Sequence, residues 1–354
     1  MKIVSIVGTR PQLIKCALLS HELRKEHEEI LVHTGQHYDH TMSEIFFEEL
    51  LIPRPDYSLN IGSGPHGWQT GEMLAKLESV LQLEKPELVL TYGDTNSTLA
   101  GALAAAKLQL RVAHVEAGLR SFDRTMPEEI NRVITDHISS LCFCPTVTAV
   151  MNLSREGIIT GVHYVGDVMY DVLLQNMKIS NNKSRICQMM GLKRKDYLVI
   201  TIHRPSNTDN FDRLASIIDA LSMVAKLVIF PLHPRTKKFL DVYGLLDRIP
   251  RNVKLIEPLG YLDMLQLMKG AEKILTDSGG IQKEAYMMSV PCITLRDNTE
   301  WVETVEEGWN VLVGADKDRI IEEIGAPFPT KKTGNLFGNG DARLKIAKII
   351  GELN

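Results

Sequence analysis

Residues 88–118 read LVLTYGDTNSTLAGALAAAKLQLRVAHVEAG. Two near-continuous apolar runs, 88–94 and 111–118, flank an alanine-rich stretch, 95–108, that predicts a helix. Strands that lack polar alternation are buried on both faces, and parallel neighbours need a crossover such as a helix. The stretch therefore predicts a β-α-β unit of a parallel sheet. Both strands end on charge: Gly93-Asp94 closes the first, and Glu116 stands near the end of the second.

The pattern repeats outward. Ahead of this unit, 2–8 and 29–35 read as strands and 11–24 and 69–83 as helices; behind it, 141–146 and 162–167 read as strands. The polar stretch 176–184, containing Ser180-Asn181-Asn182-Lys183-Ser184, reads as a linker and a candidate hinge. Strand-like runs then restart at 197–204, 226–233, 253–258, 273–279, 291–297 and 310–315. A Gly/Pro/Thr-rich stretch, 325–340, closes this half, and the last helical piece, 341–353, is expected to pack back on the first. The expected fold class is α/β. Two doubly wound Rossmann-like domains, 1–170 plus 341–354 and 171–340, would face a cleft at the C-terminal edges of their sheets.

A chain of 354 residues is long for one core, which also argues for two domains. The composition, 44% hydrophobic and 24% charged, is that of a globular protein. A net charge of −4 with no basic stripe argues against nucleic-acid binding. No apolar run reaches the length of a membrane span, and Met1-Lys2 leads into a strand rather than a signal peptide. A cytoplasmic location is expected. Cys142-Phe143-Cys144 has no second pair at zinc spacing, so the five cysteines are expected to be reduced and no metal is expected. The exit from the first strand, Gly8-Thr9-Arg10-Pro11, is not GxGxxG and no such triplet is read elsewhere, which disfavours a dinucleotide cofactor.

Candidate site residues gather at strand ends. HVEAGLRSFDRTMPEEINR, residues 114–132, sets Glu116, Asp123 and Glu128 among Arg120, Arg124 and Arg132. Desolvating an unpaired ion costs several kcal/mol, so these charges are paired or used; the plainer reading is a solvated loop and surface helix. Glu128 and Arg132 are four apart on one helix face, as a site or as a surface ion pair. Asp94 is either a helix cap or an acid/base group, whereas Glu116 at an apolar strand end needs a partner or a task. Arg10 and Lys15 join a helix N-terminus in a candidate anion site, with an interdomain salt bridge as the alternative for Arg10. His203 and His233 end the first two strands of the second half, either as structural histidines or as site groups, His203 catalytic and His233 binding substrate. Ser278, Gly279 and Gly280 form a turn that lets backbone N–H groups approach a diphosphate, and Glu284 lies one turn further, within reach of a ribose.

Together GTRPQLIK, TGQHYD, YGDTNST, HVEAGLRSFDRTMPEEINR, ITIHR, LTDSGGIQKEA and GNGDA resemble the UDP-N-acetylglucosamine 2-epimerase family over nearly the whole chain. The resemblance implies the GT-B arrangement, a homodimer, a UDP-sugar substrate and no nicotinamide. It implies elimination of UDP to a 2-acetamidoglucal and re-addition on the opposite face. Asp94, Glu116 and Glu128 would be the acid/base carboxylates, with Arg132 holding Glu128. Arg10, His203, Ser278, Gly279 and Gly280 would hold the diphosphate, Glu284 the ribose, and Lys15 would be a further charged site residue. Gln36 and His37 match a regulatory site of bacterial members, although 62–69 matches their pattern poorly. Gln12 and Lys283 stand where the family usually has Glu. A hydrolysing relative, an epimerase of a diacetamido uronic acid nucleotide, a GT-B glycosyltransferase and an inactive UDP-sugar-binding protein are the competing readings.

Overall fold

The computed structural model describes residues 1–36 and 53–353. They fall into two compact units, Met1–Leu174 with Asn335–Asn354, and Gln175–Gly334. Each is built on one parallel sheet with helices between the strands.

In the first unit the strands are β1 (Lys2–Val7), β2 (Glu28–His33), β3 (Tyr57–Ser58), β4 (Leu88–Tyr92), β5 (Arg111–Val115), β6 (Leu141–Cys144) and β7 (Val162–Tyr164). Their spatial order is β3-β2-β1-β4-β5-β6-β7. In the second, β8 (Tyr197–Thr201), β9 (Leu227–Pro231), β10 (Val253–Ile256), β11 (Lys273–Thr276), β12 (Cys292–Thr294) and β13 (Asn310–Leu312) run in the order β10-β9-β8-β11-β12-β13. Both are the doubly wound order, which reverses between the first and fourth strands. Ligands of such sheets bind at the C-terminal ends of that pair. Every strand of the sequence reading is found; β3, a two-residue edge strand, is the addition.

Burial follows from the apolar runs. In β1, Val4 and Ile6 join Val32, Val89, Ala100, Ala104 and Leu77 in one core, while Ser5 on the other face donates to the Glu29 carboxylate, 2.6 Å away. The helix Asn96–Lys107 packs close because its inward residues are Ala100, Gly101, Ala104 and Ala105. In the second unit, Leu198 and Ile200 of β8 pack with Leu214, Ile217, Ile218 and Leu221 of the helix Phe211–Ser222.

Two expectations are corrected. The polar stretch 176–184 is not a linker loop: all but its last residue lie in the helix Val168–Lys183. Ser180 is buried and its hydroxyl donates to the Leu262 carbonyl, 2.6 Å away, so tertiary packing overrides the poor helix propensity of Asn and Ser. A GxGxxG spacing does occur, at Gly62-Ser63-Gly64-Pro65-His66-Gly67. It leads from the sheet edge at β3 into the helix His66–Glu84, not from the switch point where a dinucleotide fold needs it.

The C-terminal helix Ala342–Gly351 lies in the first unit, tied by Asp171, which accepts from the backbone N–H of Ala342 and Arg343. No described helix is long and apolar enough to cross a membrane. Among the described residues no group of His, Cys, Asp and Glu is arranged to hold a metal ion. Burial pushes the Cys142 and Cys292 thiols up to about 12.

Candidate active site

At the switch point of the first unit, β1 runs into the helix Arg10–Leu23 through Gly8 and Thr9. The expected anion site is altered here, because Gln12 takes the donors of that turn. Its Oε1 accepts from the N–H of Gly8, at 2.8 Å, and of Thr9, at 3.2 Å. Its amide nitrogen donates to the Tyr92 carbonyl at 2.7 Å and to Thr98 at 2.9 Å. A glutamate could accept from the turn but could not donate to Tyr92, which gives the departure at position 12 a physical reason. Lys15, one turn on, is ion-paired with Glu116. Arg10, the first residue of this helix, is partly exposed.

Glu116 follows β5 with φ +76°, a left-handed conformation that is costly for a residue with a side chain. Its N–H and that of Ala117 both donate to the Phe143 carbonyl, at 3.1 Å each, which pins the turn. Strain of this kind aims the carboxylate at Lys15.

The helix Pro127–Ile138 starts at Met126, with Pro127 in its first turn. The resemblance has Arg132 holding Glu128. In the structure its guanidinium meets Asp94 Oδ2 at 2.5 Å and Glu129 Oε2 at 3.1 Å. Glu129 is buried and also accepts from Ser121 N–H and Oγ, at 2.9 Å each, and from Phe122 N–H at 3.0 Å. Glu128 is half-buried and ion-pairs with none of the described residues. So of the three candidate carboxylates, two carry a cation and Glu128 carries none among the described residues. Glu129 was missed in the sequence because Glu128 and Glu129 look alike until the helix rotation separates them.

Gln36 is buried, and its Oε1 accepts from Ser97 N–H at 2.9 Å and Ser97 Oγ at 2.7 Å, capping the helix Asn96–Lys107. The amides then run on: Gln69 donates to the Gln36 carbonyl at 3.3 Å, and Asn96 to Gln69 at 2.8 Å. Asn131 donates to Asn96 at 3.2 Å and to the Asp94 carbonyl at 2.9 Å. His37 lies outside the described residues.

In the second unit β8 and β11 are the switch-point strands, and their ends carry His203 and Ser278. Asp277 is fully buried between them. Its carboxylate accepts from the N–H of His203 at 3.1 Å, of Arg204 at 3.0 Å, and from Asn207 Nδ2 at 3.1 Å. His203 Nδ1 lies 3.3 Å from it. The rings of His203 and His233 stand 5.6 Å apart. Burial lowers both rings below the ordinary imidazole value; Asp277 opposes this at both rings, and His203 adds to the lowering of His233. His233 also caps the helix Pro234–Val242, accepting from Arg235 N–H at 3.2 Å.

Ser278 caps the helix Gly279–Met287 and accepts from Ile281 N–H at 3.4 Å, so Gly279 and Gly280 form its first turn, where backbone N–H groups lack intrahelical partners. Glu284, on the same helix, is buried and accepts from Tyr261 Oη at 2.8 Å. The adjacent Lys283 is also buried, with Nζ 4.5 Å from the Trp301 ring centroid, a cation–π contact that a glutamate at this position could not make. The sequence drew attention to Ser278, Gly279 and Gly280 and passed over Asp277, whose partners lie seventy or more residues earlier.

A family model described as UDP-N-acetylglucosamine 2-epimerase matches residues 21–351 of the chain. The sequence is 57% identical to a UDP-N-acetylglucosamine 2-epimerase homolog of Methanococcus maripaludis, covering 100% of both chains. It is 47% identical to a UDP-2,3-diacetamido-2,3-dideoxy-D-glucuronate 2-epimerase of Pseudomonas aeruginosa, again covering 100% of both. Among solved structures it is similar to a Methanocaldococcus jannaschii UDP-GlcNAc 2-epimerase in complex with UDP-GlcNAc and UDP. The TM-score is 0.92 at 49% identity, covering 99% of this chain and 100% of that one.

Proposed function

The chain belongs to the UDP-N-acetylglucosamine 2-epimerase family, and on that premise we propose that it interconverts UDP-N-acetylglucosamine and UDP-N-acetylmannosamine without hydrolysis. The hydrogen on carbon 2 is not acidic, so direct removal and return is slow. Elimination offers another route. A carboxylate takes the carbon 2 proton, the bond from carbon 1 to the diphosphate oxygen breaks, and UDP leaves with that electron pair. The 2-acetamidoglucal left behind then takes a proton on the opposite face of carbon 2 while UDP adds back to carbon 1. Atoms and electrons balance without an oxidant or a cofactor.

The observation that carries this reading is the ion-paired carboxylate set at the first unit's switch point: Glu116 on Lys15 and Asp94 on Arg132. Proton transfer by positioned groups contributes about 10²–10⁴-fold in rate. Asp94, Glu116 and Glu128 are the acid/base carboxylates, Glu116 among those that exchange a proton with substrate, and Glu128 has no ion-pair partner among the described residues. In the second unit, the helix start at Ser278, Gly279 and Gly280 supplies backbone donors for the departing diphosphate, with His203 beside them. Glu284 would accept from the ribose, and His233 would be a further contact to UDP. A homodimer is expected, and exposed Ile130 and Ile134 on one helix and Val147 and Met151 on the next are the apolar side chains to carry it. We place the enzyme in the cytoplasm, supplying N-acetylmannosamine nucleotides for surface polysaccharide.

The test is proton NMR of the protein with UDP-N-acetylglucosamine in deuterated water. The reading requires UDP-N-acetylmannosamine with deuterium at carbon 2. Free N-acetylmannosamine with stoichiometric UDP would replace it with the hydrolysing reaction. The similarity to the Pseudomonas aeruginosa protein supports a second reading, a diacetamido uronate nucleotide as substrate. Turnover of that nucleotide alone would establish it.

A further inference from the structure

His114 is fully buried in β5, where it stands beside Thr91 of β4 and Cys142 of β6. Its Nδ1 lies 2.7 Å from Asp136 Oδ1, and its Nε2 lies 2.6 Å from the carbonyl oxygen of Gly93. A carbonyl oxygen only accepts, and so does an ionised carboxylate. Burial raises the Asp136 carboxyl, but His114 and Arg120 together hold it below the ordinary value, and Arg120, a permanent cation, lies 2.6 Å from it. Both ring nitrogens of His114 therefore face acceptors.

The two bonds lead to two different turns. Gly93 immediately precedes Asp94 and has φ +65°; a Cβ there would lie 3.1 Å from Lys15 Nζ and 3.4 Å from Glu116 Oε2, so the glycine brings the backbone against that ion pair. Asp136 holds the turn after Glu116, accepting from Gly118 N–H at 3.1 Å and from Arg120 Nη1 at 2.6 Å. Arg120 in turn is clasped by Glu156 at 2.7 Å. The Asp94 turn is thus gripped at three points: the preceding carbonyl by His114, its own carbonyl by Asn131, and its carboxylate by Arg132.

We propose that His114, as a buried imidazolium, is a positioning residue that fixes the Gly93–Asp94 turn against Glu116 through the Gly93 carbonyl. It touches no substrate. Its part in the reaction rests on the roles proposed above for Asp94 and Glu116; its protonation and its bond to Gly93 do not. A displacement of about 1 Å at a reacting group can cost on the order of a hundredfold in rate, which sets the effect to look for.

Two amide replacements separate the two bonds. The amide nitrogen of His114→Gln reaches the place of Nε2 and keeps the bond to Gly93, whereas that of His114→Asn reaches the place of Nδ1 and keeps only the bond to Asp136. Each variant loses one buried bond, so a merely structural role would lower both melting temperatures alike and affect kcat alike. Positioning predicts a kcat at least tenfold lower for His114→Asn than for His114→Gln, with KM within threefold of each other. Equal kcat values in the two variants would overturn it. Nitrogen NMR of histidine-labelled wild-type protein adds a readout independent of turnover and of variant folding: both His114 nitrogens should show protonated shifts with slowly exchanging hydrogens. A bare nitrogen would overturn the proposal. If the wild-type protein leaves UDP-N-acetylglucosamine unchanged, the functional reading fails and the nitrogen spectrum still decides the state of His114.

Discussion

Asp136 in the first unit and Asp277 in the second are both fully buried aspartates beside a switch point, and the two units satisfy them differently. Asp136 is held between two side chains, Arg120 and His114. Asp277 is held mainly by neutral donors, the backbone N–H of His203 and Arg204 and the amide of Asn207. The difference carries through to the groups each supports. The first unit is a lattice of ion pairs, Lys15 with Glu116 and Arg132 with Asp94 and Glu129, that fixes carboxylates at set positions. In the second unit the negative charge is spent on backbone N–H groups, and His203 and the glycine turn are left to meet an anion. On the proposed function, one architecture would serve two tasks: carboxylates where protons move, and uncharged donors where a diphosphate sits.

Variants can break that division from either side. The largest effect is expected for Glu116→Gln, which removes the acid/base group and keeps its shape; kcat should fall about 10³-fold, about 4 kcal/mol in the barrier, with the affinity for UDP retained. A loss below tenfold in steady-state kinetics would remove Glu116 from the chemistry. Asp136→Ala leaves His114 buried without its carboxylate and Arg120 with Glu156 alone, and breaking a buried pair this way costs about 3–5 kcal/mol. Denaturant unfolding should register it, and a cost under 1 kcal/mol would deny the ion-pair lattice its structural role.

Effects on the second unit should be smaller and fall on binding. In Gly279→Ala the new methyl would lie 2.3 Å from Glu300 Oε1, and Glu300 is paired with Arg296 at 3.0 Å, so the helix start must shift. KM should rise about tenfold, about 1.4 kcal/mol, with little change in kcat. A fall in kcat at constant KM would move this turn into the proton chemistry.

The smallest effect is one of protonation. His203 and His233 are both held below the ordinary imidazole value of 6.5. Rings depressed in the folded state contribute stability that is present above pH 6.5 and lost as the pH falls through their folded values. A diphosphate beside His203 reverses the preference, so UDP binding near pH 6.5 should take up a fraction of a proton. Calorimetry in buffers of differing ionisation enthalpy reads this directly, and proton release would contradict the placement of the diphosphate beside His203.

The strands were legible because parallel sheets buried on both faces leave unbroken apolar runs, and the strand-end residues because charge or glycine stops those runs abruptly. Asp94, Glu116 and His203 are of this kind. Residues that hold them were not legible. His114 looked like one more strand residue, and Asp136 lies twenty-two residues away in sequence, so only the folded chain brings them together. Gln12 shows the same limit, since its bond to Tyr92 spans eighty residues. The helix over 176–183 was hidden for another reason: propensity argued against it, and the contact of Ser180 with Leu262 decided it.

The central claim is that proton chemistry belongs to the first unit and diphosphate binding chiefly to the second. The most direct test follows Glu116→Gln in deuterated water with UDP-N-acetylglucosamine, measuring deuterium at carbon 2 by NMR and UDP affinity by calorimetry on the same preparation. The account predicts that deuterium incorporation collapses while the Kd for UDP stays within about threefold of wild type, a difference under 1 kcal/mol. Incorporation at the wild-type rate, or a loss of UDP affinity that matches the loss of exchange, would contradict it.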